Sequence, residues 1–141
     1  MKSFFDTNVL VYLFDDDSPQ KKVAVQQIFK KDNSAGDILF STQVLQEFYV
    51  VVTRKLAKPL NPETALEAVT KFAALQVVVV NPSLILSAVR RSQKDSISFW
   101  DSLIIDAALE GGAQRLWSED LQHGRTINGM RIENPFLSTR Q

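Results

Sequence analysis

The chain of 141 residues contains no cysteine. That excludes a disulfide framework, a thiolate zinc site and a cysteine nucleophile, and it fits a reducing compartment, so a cytoplasmic location is expected. It has a single histidine, His123, which leaves little room for paired-imidazole acid–base chemistry. No apolar run approaches the length that spans a bilayer, and no membrane association is expected. A signal-peptide layout is also missing, because Asp6 and Asp15 interrupt the N-terminal apolar stretch. Charge of one sign is lacking too: 16 Lys and Arg balance 16 Asp and Glu. A nucleic-acid partner would have to be held by a local basic patch or by metal ions rather than by the overall field. No internal repeat, low-complexity tract or linker divides the chain. Its length suits one domain over residues 1–141 with one core.

What is present is an alternation of short apolar segments with longer helical patterns. "KSFF", "DILFS", "VVVV" at 77–80, "RLWSED" and "MRIENPF" read as strands, the last an edge strand stopped by Pro135. The four consecutive valines suggest a strand buried on both faces. Between the strands, "TNVLVYLF" reads as a short helix and "DDDSPQKKVAVQQIFKKDN" as a helix with Ser18 as its N-cap and Pro19 at the first helical position. "TQVLQEFYVVVTRKLA", "NPETALEAVTKFAALQ", "PSLILSAVRRSQKD" and "ISFWDSLIIDAALEGG" complete the set. In the second of these Asn61 caps, Pro62 starts, and Leu66, Val69, Phe72 and Ala73 form the apolar stripe. Gly111 and Gly112 end the last. Strand and helix alternating throughout imply an α/β domain with a mainly parallel sheet. Ligands of such sheets bind beyond the carboxyl ends of the strands.

Four acids stand where a charge is costly. Asp6 follows directly on the apolar run of the first strand, and Asp120 lies just past "RLW". Parallel strands would point both toward one sheet edge. Glu47 sits inside "VLQEFYVVV", and Asp101 near the start of "SFWDSLIIDAA", where the positive end of the helix dipole favours an anion. Clustered carboxylates without counter-charges raise one another's pKa. A divalent cation removes the conflict, and Mg²⁺ or Mn²⁺ takes carboxylate and water oxygens without Cys or His. Such a cluster suits phosphoryl chemistry.

Each acid also has a plainer reading. Asp6 could cap the helix that follows, and Asp101 could complete a capping box with Ser98. Glu47 has only a distant Arg54. Metal accounts for all four at once, whereas the plainer reading has to succeed four separate times. Glu119 competes with Asp120. Asp106 does not share the face of Asp101, because five residues advance about 500° around a helix, and it reads as structural. Asp15, Asp16 and Asp17 read as a solvated turn before the Ser18–Pro19 helix start. His123 reads as a surface turn residue, although its place after Asp120 keeps a proton-shuttle role open. Arg54, Lys55, Lys58, Arg90, Arg91, Lys94 and Arg125 are candidates to hold phosphates. Trp100 could stack on a base, but an aromatic beside Phe99 in a helix reads as core.

The segments "FFDTNVLVYLFD", "STQVLQEFYVVVTRK", "SFWDSLIIDAAL" and "LWSEDLQHG", in this order, resemble PIN-domain endoribonucleases, and among them the VapC-type toxins of toxin–antitoxin pairs. The resemblance runs from Lys2 to about Pro135. Any one segment is weak; the four in order on the expected elements are specific. The resemblance implies an acidic metal-binding and catalytic quartet at Asp6, Glu47, Asp101 and Asp120, with Asn8 and Ser118 as supporting polar residues. It also implies strand order 3-2-1-4-5 in a three-layer α/β/α sandwich, Mg²⁺ or Mn²⁺ as cofactor, RNA as substrate, a cognate antitoxin and a homodimer. Phe48, Tyr49 and Val52 exceed one core-facing stripe and are candidates for a partner surface.

Two rivals share the fold class. An aspartyl phosphatase usually carries a second Asp two residues after the first, where this chain has Asn8. A phosphorelay receiver needs an acceptor Asp on a central strand, and neither "DILFS" nor "VVVVNP" ends in one. A catalytically silent PIN-like RNA- or protein-binding module is the remaining alternative; an intact quartet argues against it.

Overall fold

A computed structural model describes residues 1–137. Six strands form one sheet: β1 (Ser3–Phe5), β2 (Ile38–Ser41), β3 (Gln76–Val78), β4 (Arg115–Trp117), β5 (Thr126–Ile127) and β6 (Met130–Glu133), in the order β3-β2-β1-β4-β6-β5. All neighbours are parallel except the β5–β6 hairpin. The expected order 3-2-1-4-5 is therefore present, with "MRIENPF" supplying β6 as its fifth strand. The two-residue β5 takes the outer edge that was assigned to that strand, and Asn128 and Gly129, both at positive φ, make its turn.

Six helices cover the sheet: α1 (Thr7–Val11), α2 (Pro19–Ser34), α3 (Thr42–Arg54), α4 (Pro62–Ala73), α5 (Pro82–Asp95) and α6 (Phe99–Glu110). A 3₁₀ turn over Tyr12–Phe14 extends α1. The strands alternate their side chains between the two faces. Phe5 and Phe40 face α2, α3 and α4, where they join Phe29, Phe48 and Phe72 in an edge-to-face aromatic cluster. Leu39 faces the other way, against the end of α6. The result is the expected three-layer α/β/α sandwich. Helix α6 is buried from Ser102 through Ala108, so it is a core helix and not an amphipathic cover.

Three readings of the pattern need correction. The valine run contributes only its first half to β3, an edge strand, and Val79 is 66% exposed. With a neighbour on one side only, such a strand does not need a two-faced apolar run. On α4 the core-facing residues are Ala65, Ala68 and Phe72, while Leu66 lies in solvent. Phe72 fills the aromatic cluster, and its phase, not that of Leu66, sets the buried face. On α3, Phe48 and Val52 belong to the core, so only Tyr49 of the supposed partner surface is exposed, beside Val50.

Candidate active site

The parallel strands β1 and β4 run side by side in register, Phe5 opposite Trp117. The chain leaves both at the same edge, and this brings Asp6 and the segment 118–120 together. Helices α3 and α6 begin with well-formed caps: Ser41 Oγ accepts from the Val44 amide and Ser98 Oγ from the Asp101 amide. Glu47 lies in the second turn of α3, and Asp101 in the first turn of α6. All four acids, with Thr7, Asn8 and Gln43, line one open cleft of about 480 Å³.

Asp6 is buried and rigidly held. Its Oδ1 accepts from the Thr7 amide at 2.7 Å, so it does cap α1. Its Oδ2 accepts from Ser118 Oγ at 2.9 Å. Burial pushes its carboxyl up to about 6; the bonds from Ser118 and Thr7 oppose this, while the charges of Asp120 and Glu47 add to it. The capping role and the charge-cluster role are thus both real. Ser118 Oγ also accepts the amides of Asp120 at 3.3 Å and Leu121 at 3.2 Å, tying the two acidic strand ends to one hydroxyl. Asn8 donates its amide to Asp120 Oδ2 at 2.9 Å. Asn8 and Ser118, the two supporting residues, both touch members of the quartet.

Two supporting residues escaped the sequence reading. Thr7 donates its hydroxyl to Glu47 Oε1 at 2.6 Å. Gln43 donates to Glu47 Oε2 at 3.1 Å and approaches the Trp100 carbonyl at 3.5 Å. Thr7 was readable in principle: in "DTN" the two polar side chains after Asp6 each serve a different acid, Glu47 and Asp120. Gln43 lies one helical turn before Glu47, the usual spacing for such a pair.

The remaining candidates separate cleanly. Asp106 turns toward α5, where it accepts from Arg91 Nε at 2.8 Å and Ser87 Oγ at 3.2 Å. Glu119 turns away from the cleft and is held by Lys21 and by the Tyr12 hydroxyl at 2.6 Å. Burial raises its carboxyl, but Lys21 and Tyr12 outweigh this and hold it below the ordinary value. His123 is exposed and accepts from the Asn134 amide at 2.9 Å through Nδ1, a turn-stabilising role. Asp15 accepts from the Asp17 amide, and Asp16 pairs with Lys22, so the triple-Asp segment is a turn on the surface that does not cap α2. Of the seven proposed basic residues, Lys55 lines the cleft; Arg91 is engaged by Asp106 and Asp95. Trp100 is not core. Its indole is 62% exposed at the lip of the cleft.

Residues 3–127 match the family described as PIN domain. The chain belongs to the PIN-domain family. No curated protein matches the sequence. Solved structures with the same PIN fold include Mycobacterium tuberculosis VapC20, a sarcin-ricin-loop-cleaving toxin, at 18% identity and TM-score 0.63, with 84% of this chain and 92% of that one covered. A toxin–antitoxin complex from Klebsiella pneumoniae aligns at 14% identity and TM-score 0.68, covering 95% and 98%. DNA-bound VapBC from Salmonella typhimurium aligns at 20% identity and TM-score 0.65, covering 96% and 98%.

The donor set of this PIN domain suits a hard divalent cation: carboxylate oxygens, no thiolate, no imidazole in the cleft. Among the described residues, no three acidic or His side chains stand at a common metal-ligating spacing. Thr7 and Gln43 donate to Glu47, Asn8 to Asp120 and Ser118 to Asp6, which offsets part of the like-charge repulsion.

Proposed function

We propose that this PIN domain is a Mg²⁺- or Mn²⁺-dependent endoribonuclease and the toxin of a toxin–antitoxin pair. The observation that carries the reading is the convergence of Asp6, Glu47, Asp101 and Asp120, from four separate elements, on one cleft at the carboxyl edge of the sheet. The carboxyl of Asp6, raised chiefly by burial and further by the charges of Asp120 and Glu47, is a perturbed acid in a cleft, as functional sites often hold. That solved structures of this fold include toxins and toxin–antitoxin complexes supports the biological role.

Asp6, Asp101 and Asp120 would hold the ion, and Glu47 would complete a second site or act on water. The ion, when bound, supplies Lewis acidity toward a phosphoryl oxygen and an acidified water. Asp6 provides the fixed point, because the Thr7 amide and Ser118 prevent its rotation. Asn8 sets the approach of Asp120. Glu47, oriented by Thr7 and Gln43, receives the proton of the attacking water. In-line attack by water does not involve the ribose 2′-hydroxyl, so the products carry 5′-phosphate and 3′-hydroxyl ends. The protein acts in the cytoplasm, paired with an antitoxin, and as a homodimer that uses the exposed Tyr49; sedimentation showing a monomer at micromolar concentration would remove the dimer.

The test is cleavage of RNA in Mg²⁺, Mn²⁺ or EDTA, with end-group analysis. Cleavage in both metals, loss in EDTA and loss in Asp101→Asn are expected. Metal-independent cleavage yielding 2′,3′-cyclic phosphate would overturn the reading and point to His123. The alternative, a catalytically silent RNA- or protein-binding module, is favoured by the wide spacing of the acids. It requires that neither metal raise the melting temperature, whereas a loaded site raises it through linkage.

A further inference from the structure

We propose that Trp100 is a platform on which the base of the nucleotide adjoining the scissile phosphate stacks. This rests on the ribonuclease reading and specifies how that site holds its substrate.

The indole is 62% exposed, whereas the other tryptophan, Trp117, is 6% exposed. Helix α6 is otherwise one of the most buried elements of the fold, and an indole left in water at its start gains nothing by packing there. It is nonetheless fixed. Phe99 braces it edge-to-face, with centroids 5.1 Å apart and planes at 71°. A rigid, exposed aromatic face loses little conformational entropy when it is covered.

Its position decides what covers it. Trp100 immediately precedes Asp101 and lines the same cleft as Asp6, Glu47 and Asp120. Val50 and Val51 from α3 line that cleft as well and give it an apolar lip beside its acidic floor. A phosphodiester placed at the acids therefore has its adjoining base within reach of the indole. Gln43 also belongs to the cleft wall; its amide N–H groups face Glu47 and the Trp100 carbonyl, which ties the start of α6 at Trp100 to α3.

Charge points the same way. The chain is formally neutral, and among the described residues Lys55 is the one cationic side chain lining the cleft. Beyond that lysine and a bound cation, a polyanion here has to draw affinity from contacts other than ion pairing. Base–aromatic stacking is sequence-tolerant and strong enough for the task. A base that stacks on Trp100 must be unpaired, so the substrate at this position is a single-stranded loop or end.

The experiment uses short single-stranded RNA and the full chain. Trp100→Ala should raise KM between about 5-fold and about 100-fold, the loss expected for one stacked base, with kcat changed far less. Trp100→Phe should recover most of the loss. An abasic site at the adjoining nucleotide should weaken the wild type by a similar factor and have no further effect on Trp100→Ala. Separately, RNA should quench tryptophan fluorescence in a cleavage-blocked Asp120→Asn background, and Trp100→Phe should abolish the quenching. An unchanged KM in Trp100→Ala, or an abasic penalty that persists in that variant, overturns the proposal even while the wild type cleaves RNA. If Trp100→Ala leaves RNA kinetics intact but weakens inhibition by a protein antitoxin, the platform belongs to that partner and the proposal fails. Quenching without cleavage by the wild type would preserve the platform and sink the nuclease reading; neither would sink both.

Discussion

Asp6 answers to two demands. Its carboxylate caps α1 and must also stay in a buried cleft facing Glu47 and Asp120. A folded-state pKa of about 6 against an ordinary 3.8 means that the folded chain binds this proton more tightly than the unfolded chain does. The associated stability is fully present below about pH 4 and is lost as pH rises to about 6. Above that the ionised group costs the metal-free fold about 3 kcal/mol. Asp6→Asn keeps the cap, since Asn caps as well as Asp. In EDTA the variant should match the wild type near pH 4 and exceed it in urea midpoint at pH 7. A difference that stays flat across that range would show that burial does not perturb Asp6. Saturating Mn²⁺ should reverse the order at pH 7, because only the carboxylate binds the ion. Ser118→Ala tests the other side of the same bond. It leaves Asp6 Oδ2 and the amides of Asp120 and Leu121 without their shared partner, so a loss of about 1–3 kcal/mol is expected by thermal or urea unfolding. At this scale the acids were legible from their cost: a charge beside buried residues needs a reason. Thr7 and Gln43 were not, because neutral polar residues carry no such penalty. Trp100 was misread because sequence neighbours of Phe99 were assumed to share its burial, although adjacent helical residues point about 100° apart.

At the scale of elements, caps and periods carried most of the information. Asn61 and Ser98 each accept the amide three residues on, as the sequence suggested, and Asn81, not singled out as a cap, does the same. Ser18 precedes α2 without such a bond; Pro19 suffices to start that helix. Phase was harder to read than existence. Helix α4 has apolar residues around much of its circumference, so the pattern alone could not choose Phe72 with Ala65 and Ala68 over Leu66. The choice is made by the aromatic cluster of three other elements, which is information the local window does not contain. Gly111 shows the same limit. The sequence suggested a helix terminator, but its φ of −78° is ordinary. The requirement is space: a Cβ there would lie 2.5 Å from Leu39 Cδ2 and 2.8 Å from Val78 Cγ2. Gly112, at φ +79°, supplies the left-handed turn. Gly111→Ala should therefore cost about 1–3 kcal/mol through overpacking, and a shortened β2 residue, Leu39→Ala, should recover part of that cost in the double variant. Strict additivity of the two losses, measured by chemical unfolding, would show that Gly111 does not press on Leu39.

For the whole molecule, the topology was the most legible feature, because alternating strands and helices leave few arrangements once crossovers and sheet edges are considered. The hairpin edge β5 escaped because two residues make no periodicity. Net charge is also a whole-molecule property, and it sets the terms on which a neutral chain meets a polyanion. With zero net charge and a single lysine on the cleft among the described residues, RNA bound there releases few counterions. Each phosphate neutralised on a single strand contributes a slope of about −0.7 in log K against log salt. Lys55 lines the cleft, whereas Arg91 is committed to Asp106 and Asp95 and Arg125 approaches Asp95. The KM for a short single-stranded RNA at saturating metal should therefore rise only shallowly with added KCl, with a slope of magnitude about 1. Lys55→Ala should weaken binding and reduce that slope by about 0.7, whereas Trp100→Ala should weaken binding and leave the slope unchanged. A slope steeper than about 3, or one insensitive to Lys55, would mean that the phosphates follow a basic track elsewhere, and α5 with Arg90 and Lys94 would be the place to seek it.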